Sequence, residues 1–247
     1  MSWFSPQAAD TFKAFSSAHM GALFLFIVTV LLLYRWRHWF RQEKHNRYGR
    51  CILISLLVLS EVTLNIWYVA TGIFRAADTL PFELCSISLY MCVLMLLFRS
   101  KKIFHIVYFT GIGGALQALL TPALDYPFPH FRFVQFFIAH IAIILAVLYM
   151  VWVENVRPTW KSIGYAMLFL NVLFVVVGGV NYITGGNYMF LAHKPETASL
   201  MDVLGPYPWY LLSLEGVALG MFIVLYLPFL IAGRLRTSSS TDKNLRG

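Results

Sequence analysis

The chain has 247 residues, of which 59% are hydrophobic and only 12% are charged. A typical soluble domain carries about 25% charged residues, so most of this chain is expected to face lipid rather than water. The net charge of +8 would suit a nucleic-acid partner, but the basic residues cluster in short segments between apolar stretches. That distribution favours a membrane topology signal, and no nucleic-acid partner is expected.

Seven apolar stretches follow one another, and each is about as long as a membrane-spanning helix. They predict an all-α fold, a polytopic bundle of seven transmembrane helices over residues 17–232. An extracytoplasmic segment, 1–16, would precede this domain, and a cytoplasmic tail, 233–247, would follow it. The predicted spans are 17–34, 50–71, 80–98, 103–120, 132–153, 160–183 and 208–232.

The basic residues alternate between the two sides of these spans. Most of the 19 Lys and Arg residues lie after spans one, three, five and seven, whereas Lys13, Arg75, Arg132 and Lys194 fall on the other side. Because Lys and Arg are enriched in cytoplasmic loops, this pattern predicts an amino terminus outside and a carboxyl terminus in the cytoplasm. The expected location is the cell membrane, with several passes through it.

The loop 184–207, between spans six and seven, is the longest segment without a helical or strand period. It is rich in Gly, Pro and aromatic residues. Long loops in compact proteins are often functional lids. We predict that this loop lies on the outer surface, either as a lid or as an ordered cap that only packs.

Polar side chains interrupt the spans in the half of the membrane nearer the outside. Because an unpaired polar group in hydrocarbon is costly, their clustering predicts a cavity that opens to the outer leaflet. With a rise of about 1.5 Å per residue, Cys85, His140 and Glu61 lie roughly 6, 12 and 15 Å below the outer ends of their helices. The inner half offers little comparable. The predicted set is Glu61, Asn65, Glu83, Cys85, Gln117, His140, Asn181 and Glu215, with Asn187 in the adjoining loop.

Cys85 and His140 form the sharpest pairing in this set. The thiolate is the nucleophilic form of cysteine, and both an apolar setting and the neighbouring Glu83 disfavour it. Cys85 would therefore need a base, and a Cys–His pair supplies one. The sequence does not tell whether helices three and five touch. The glycines of "GIGGA", 111–115, are interpreted as a helix-packing surface.

Three segments resemble a known family of membrane proteins. They are "LPFELCSISLYM" at 80–91, "GGALQALLTPALDYPFPHFRFVQFFIAH" at 113–140 and "VNYITGGNYMFLAHKPETASLMDVLGPYPWY" at 180–210. They look like the YwaF-type integral membrane proteins, a family related to the transmembrane protein 164 acyltransferases. The resemblance covers about 15–232. It implies membrane helices around a lipid-accessible polar centre, with Cys85 as the nucleophile and His140 as its partner.

These observations favour a membrane-embedded lipid acyltransferase or transacylase that forms a thioester on Cys85. The remaining members of the polar set would support the site or bind substrate. Its partners would be membrane phospholipids or lysophospholipids, and neither a cofactor nor a metal ion is expected. Two alternatives stay open. One is a proton-coupled transporter of a small molecule that uses Glu61, His140 and Glu215, and the other is a lipid-binding protein without catalysis.

Overall fold

The structure is a computed structural model that describes residues 3–7, 11–194 and 203–244, with side chains up to residue 232. The described residues form helices and connecting segments and contain no strand, which confirms the all-α fold. The helices are α1 (Ser17–Phe40), α2 (Glu43–Ala70), α3 (Leu84–Phe98), α4 (Lys101–Leu120), α5 (Phe131–Trp152), α6 (Trp160–Thr184) and α7 (Trp209–Asn244), with a short 3₁₀ turn at Tyr188–Phe190.

Six of these helices are long and apolar enough to cross a membrane, and α3 is the shorter one. α3 has 15 residues, or about 22 Å of helix against a hydrocarbon core of about 30 Å. Residues 80–83 of the predicted span lie outside it, because Glu83 has an extended backbone and is the N-cap of a helix that begins at Leu84. Seven crossings and their orientation stay predictions.

Several helices continue beyond the predicted apolar spans. α1 runs to Phe40 and α2 starts at Glu43, so most of the basic segment between the first two spans is helical. No Gly or Pro interrupts residues 35–42, and the long side chains there are compatible with a helix. Of the predicted tail, 233–244 continues α7, and 245–247 lies outside the described residues.

α4 and α5 form the centre of the bundle. α4 packs against α3, α5, α6 and α7, and α5 packs against α1, α2, α3 and α4. Large side chains on these two helices, such as Phe109 and Tyr149, are buried. The peripheral α1 and α7 instead expose many large apolar side chains, as expected of helices that face lipid.

The glycines of α4 bring its neighbours close, which confirms the packing surface predicted for "GIGGA". A Cβ atom added at Gly111 would lie 3.3 Å from Ile143 Cγ2 of α5, and one at Gly113 would lie 2.5 Å from Met221 Cε of α7. Small residues let transmembrane helices approach in this way, since side-chain volume otherwise separates their backbones.

The helix ends define two ends of the bundle. We call the end where α1, α3 and α5 finish the basic end, and the opposite one the loop end. At the loop end, residues 3–7 form an amino-terminal strap. The Trp67 indole donates to the Phe4 carbonyl over 2.9 Å, and the Tyr126 hydroxyl donates to the Pro6 carbonyl over 2.8 Å. The strap therefore joins α2 to the segment before α5. The rest of the predicted segment 1–16 that precedes residue 11 lies outside the described residues.

Residues 185–194, which we call the cap, also pack at the loop end; residues 195–202 of the predicted loop lie outside the described residues. Asn181 at the end of α6 bonds both backbone groups of Tyr188, over 3.0 and 2.8 Å. The Tyr188 hydroxyl donates to the Ala76 carbonyl and accepts from the Leu80 amide, each over 2.8 Å. Burial raises the pKa of Tyr188, so its hydroxyl stays protonated. The cap is thus ordered against the segment before α3.

Candidate functional site

Cys85 lies in the first turn of α3 and faces α4. Its sulfur would be 3.5 Å from a Cβ atom built on Gly114, and the side chain is half-buried among apolar neighbours. Because Gly114 has no side chain, the sulfur can approach the α4 backbone. The late start of α3 and this glycine together place the thiol near the loop end of the bundle.

His140 is buried in α5, and only one of its ring nitrogens has a partner. Nδ1 lies 2.7 Å from the Phe136 carbonyl oxygen, and the centroids of the His140 and Phe136 rings are 4.2 Å apart. A carbonyl only accepts, so Nδ1 carries the hydrogen in the neutral ring and Nε2 carries the lone pair. Within the described residues Nε2 makes no hydrogen bond. It is therefore available to accept a proton.

Helices α3 and α5 touch, which the sequence left open. The Cys92 thiol of α3 lies 3.9 Å from the Ile143 carbonyl oxygen of α5, and the two helices pack against each other. Both helices run from the loop end to the basic end. Cys85 precedes Cys92 by two helical turns, and His140 precedes Ile143 by about one. Cys85 and His140 therefore both lie on the loop-end side of this contact.

The packing of α5 on α4 indicates on which face of α5 His140 lies. Ile143 contacts α4 at Gly111. His140 is three residues before Ile143 and on the same helix face, one turn toward the loop end. α4 runs the opposite way, so Gly114 is one turn from Gly111 in that same direction, and Gly114 is where the Cys85 sulfur packs. Cys85 therefore contacts α4 at Gly114, and His140 lies one turn along α5 from the residue that contacts Gly111. Among the described residues no hydrogen bond joins them, and their pairing stays a prediction.

A second polar group links α2 to α3. Glu61 is buried, and the Tyr90 hydroxyl of α3 donates to its Oε1 over 2.9 Å. The Asn65 amide donates to the Glu61 carbonyl over 2.9 Å and lies 3.4 Å from the same Oε1. Two predicted residues, Glu61 and Asn65, are therefore brought together, and Tyr90 completes the group.

Arg132 and Gln135 belong to this region but were not among the predicted site residues. Arg132 donates to Gln135 Oε1 over 2.5 Å, and the buried Gln135 amide donates to the Ser60 carbonyl over 3.2 Å. The Arg132 guanidinium also lies 5.7 Å from the centroid of the Tyr68 ring. The available signal was the helical spacing of Arg132, Gln135 and His140, which puts all three on neighbouring faces of one helix. In the sequence interpretation Arg132 marks the outer side and the outer end of the fifth span, and it has no role in the site.

Glu83, Asn181 and Asn187 serve the cap. Glu83 accepts a hydrogen bond from the Met189 amide over 3.2 Å, which fastens the cap to the start of α3. Asn187 Oδ1 accepts from the amides of Ala192 and His193. Asn181 holds Tyr188, as described above. Glu83 and Asn181 therefore hold the cap against the ends of α3 and α6, and Asn187 stabilises the cap itself.

Gln117 and Glu215 are not joined to the groups above. Gln117 is exposed near the loop end of α4. Glu215 is partly exposed on α7, which packs on α4 and α6, and it makes no hydrogen bond within the described residues. A relay of Glu61, His140 and Glu215, as the transporter alternative would use, is therefore not connected by hydrogen bonds in the described part of the chain.

An all-helical fold with six helices apolar enough to cross a bilayer defines a multi-pass membrane protein. A sequence model of the TMEM164 family matches residues 14–226, which is most of the chain. The chain belongs to the TMEM164 family. No curated protein and no solved structure matches it.

Proposed function

We propose that the protein is a lipid acyltransferase or transacylase of the cell membrane, acting on phospholipids or lysophospholipids through Cys85 and His140. The observation that carries this proposal is the state of His140, whose Nδ1 is held by Phe136 while Nε2 is unpaired in the described structure. Membership of the TMEM164 family supports a membrane activity of this kind. Contacts of α3 with Gly114 and of α5 with Gly111, one turn apart on α4, support the choice of Cys85 as the nucleophile.

The first half-reaction would load the acyl chain onto the enzyme. His140 Nε2 takes the thiol proton while Cys85 Sγ attacks the ester carbonyl carbon of a phospholipid. The tetrahedral intermediate collapses, the ester C–O bond breaks, and the lysophospholipid oxygen leaves with the proton from the imidazolium. The product is a thioester on Cys85 and a free lysophospholipid.

The second half-reaction would return the chain to an acceptor. His140 Nε2 takes the proton of a lysophospholipid hydroxyl as that oxygen attacks the thioester carbonyl. The C–S bond breaks, and the imidazolium reprotonates the departing thiolate. No net oxidation occurs, so no redox partner enters either step.

Neighbouring groups would support this chemistry. Arg132 contributes a positive charge at the loop end of α5, which suits a lipid phosphate. The cap is tied to the start of α3 by the Glu83 carboxylate. An ordered cap there would limit the entry of water, which otherwise hydrolyses a thioester.

The test is acyl exchange by the purified full-length protein in detergent micelles that contain a phospholipid donor and an isotopically labelled lysophospholipid. Cys85→Ala is expected to abolish exchange, and His140→Gln is expected to lower it by about 10²–10⁴, the usual contribution of a positioned base. Cys51→Ala is the matched control, because Cys51 is an exposed thiol in the part of α2 nearer the basic end of the bundle. It should exchange like the wild type.

Mass spectrometry of the intact protein supplies the second readout. The wild type and Cys51→Ala should carry an acyl adduct that hydroxylamine removes, and Cys85→Ala should carry none. Exchange that continues unchanged in Cys85→Ala, in a variant that folds as judged by its melting temperature, would remove the proposed mechanism.

A further inference from the structure

The basic end of the bundle contains a cleft of about 350 Å³ that faces outward between the ends of α1, α2, α3 and α5. Its lining includes Arg41, Asn46, Arg99 and Glu154. In the sequence interpretation Arg41 and Arg99 only mark the cytoplasmic side, and Asn46 and Glu154, which lie outside the predicted spans, have no role. In the structure Asn46, Arg99 and Glu154 form a connected network.

Asn46 is the centre of this network. It is buried, and its Oδ1 accepts hydrogen bonds from two guanidinium groups, Arg50 Nε over 3.0 Å and Arg99 Nη2 over 2.9 Å. Its Nδ2 donates to Glu154 Oε1 over 2.7 Å. One neutral amide oxygen therefore holds two positive charges side by side, which is unfavourable unless negative charge compensates them.

Protein carboxylates compensate this charge only in part. Glu154 is the near carboxylate, at 3.8 Å from Arg99 Nε. Arg50 also donates to the Leu96 carbonyl, and Arg41 donates to the Trp152 carbonyl. These carbonyls satisfy hydrogen bonds but carry no net charge. Glu43 also lines the cleft, but within the described residues it makes no ion pair. Three guanidiniums, those of Arg41, Arg50 and Arg99, are thus accompanied by two carboxylates, of which only Glu154 lies within 4 Å of one of them.

Arg99 has donors left over for a ligand. Its side chain is 47% exposed, and within the described part of the chain its Nη1 makes no hydrogen bond. A guanidinium offers its donors in a planar fork that matches the oxygens of a phosphate. A second guanidinium, that of Arg41, lines the same cleft. The chemistry of the site fits a phosphate group.

We propose that this cleft binds a phosphate group, and that the headgroup of an anionic membrane phospholipid supplies it. Basic pockets between transmembrane helices near the membrane surface are suited to such headgroups. The site is distinct from the proposed acyl-transfer site, since Cys85 is in the first turn of α3 and Arg99 follows its last residue, about 20 Å along the axis. The proposal does not depend on the acyltransferase activity.

The experiment measures the melting temperature of the purified full-length protein in a neutral detergent during titration with phosphatidylglycerol, phosphatidylcholine or inorganic phosphate. Phosphatidylglycerol should raise the melting temperature, and phosphatidylcholine should not. Arg99→Gln should weaken the response to phosphatidylglycerol by at least about tenfold, the loss expected for one charge-assisted contact. Lys102→Gln is the matched control, because it removes the same charge from an exposed neighbour outside the cleft, and it should respond like the wild type.

Arg99→Lys is a second variant that separates loss of binding from a folding defect in Arg99→Gln. It keeps the positive charge and loses the planar fork, so its response should lie between those of the wild type and Arg99→Gln. Equal responses of the wild type, Arg99→Gln and Lys102→Gln to phosphatidylglycerol would overturn the proposal, as would the absence of any response. A response to inorganic phosphate that depends on Arg99, without one to phosphatidylglycerol, would overturn the lipid source and assign a soluble phosphate.

Discussion

Two buried histidines show how a single residue type takes different roles. His19 uses both ring nitrogens: Nε2 lies 2.8 Å from the Leu119 carbonyl, and Nδ1 accepts from the Phe15 amide over 2.9 Å. It fastens the start of α1 to the end of α4. His140 uses only Nδ1. Burial is similar at the two positions, so the unpaired nitrogen, rather than burial, distinguishes a candidate base from a structural histidine.

The hydrogen bond between Tyr90 and Glu61 can be tested by a change of one residue. Tyr90→Phe removes a donor from a buried carboxylate, which typically costs about 1–3 kcal/mol. We expect a lower melting temperature of the purified protein in detergent. Tyr182→Phe is the control, because Tyr182 is 92% exposed, and its melting temperature should not change. Equal melting temperatures for wild type and Tyr90→Phe would show that the hydrogen bond contributes nothing to stability.

At the scale of the element, α3 and the cap depend on each other. Glu83 and Tyr188 connect the cap to the segment before α3, and Gly186 lets the two backbones meet. A Cβ atom at Gly186 would clash with the Ala77 carbonyl oxygen, a backbone atom that cannot rotate away. The position of the cap is therefore set by a close contact between two loops as well as by hydrogen bonds.

Gly186→Ala should loosen the cap. We expect faster cleavage between α6 and α7 in limited proteolysis, together with a lower melting temperature. Gly178→Ala in α6 is the control, because nothing lies within 4 Å of its Cβ position. It should leave cleavage unchanged and stabilise α6 slightly, by about 0.5–1 kcal/mol, since alanine is the better helix former. Cleavage at the same rate in both variants would contradict this account of the cap.

The helices and the approximate depth of their polar residues in the membrane could be predicted from the sequence. The rotation of each helix about its axis and the pairs of helices that touch could not. A rise of about 1.5 Å per residue places Cys85 and His140 near one level of the membrane. The contacts of Ile143 with Gly111 and of Cys85 with Gly114, which relate α5 and α3 to neighbouring turns of α4, come from the structure alone. The network around Asn46 was not predicted for a similar reason. Asn46 and Glu154 are far apart in the sequence, and neither belongs to a periodic pattern that would indicate their contact. The hydrogen bond between the Met189 amide and Glu83, the N-cap residue of α3, is a long-range contact of the same kind.

At the scale of the whole molecule, the two ends differ in charge and in structure. The loop end carries the strap, the cap and the candidate acyl-transfer residues, and the basic end carries the Asn46 network and the cleft. Because basic loops are retained in the cytoplasm, the basic end is expected there and the loop end outside. Chemistry at Cys85 would then act on the outer leaflet.

Cysteine accessibility tests this orientation. In a variant without native cysteines, we introduce either Asp125→Cys, exposed at the loop end, or Lys102→Cys, exposed at the basic end. A membrane-impermeant maleimide should label Asp125→Cys in intact cells and label Lys102→Cys only after permeabilisation. The reverse pattern would invert the topology and move the proposed chemistry to the cytoplasmic leaflet.

If α3 crosses the bilayer as predicted, its length of 15 residues would affect the surrounding lipid as well as the protein. A helix about 8 Å shorter than the hydrocarbon core creates hydrophobic mismatch, and the bilayer relieves it by thinning locally. Thinning would lower the glycerol backbone of nearby lipids toward the first turn of α3, where Cys85 lies. A short helix thus offers a physical means to bring an ester bond down to a thiol, without lifting the thiol into water.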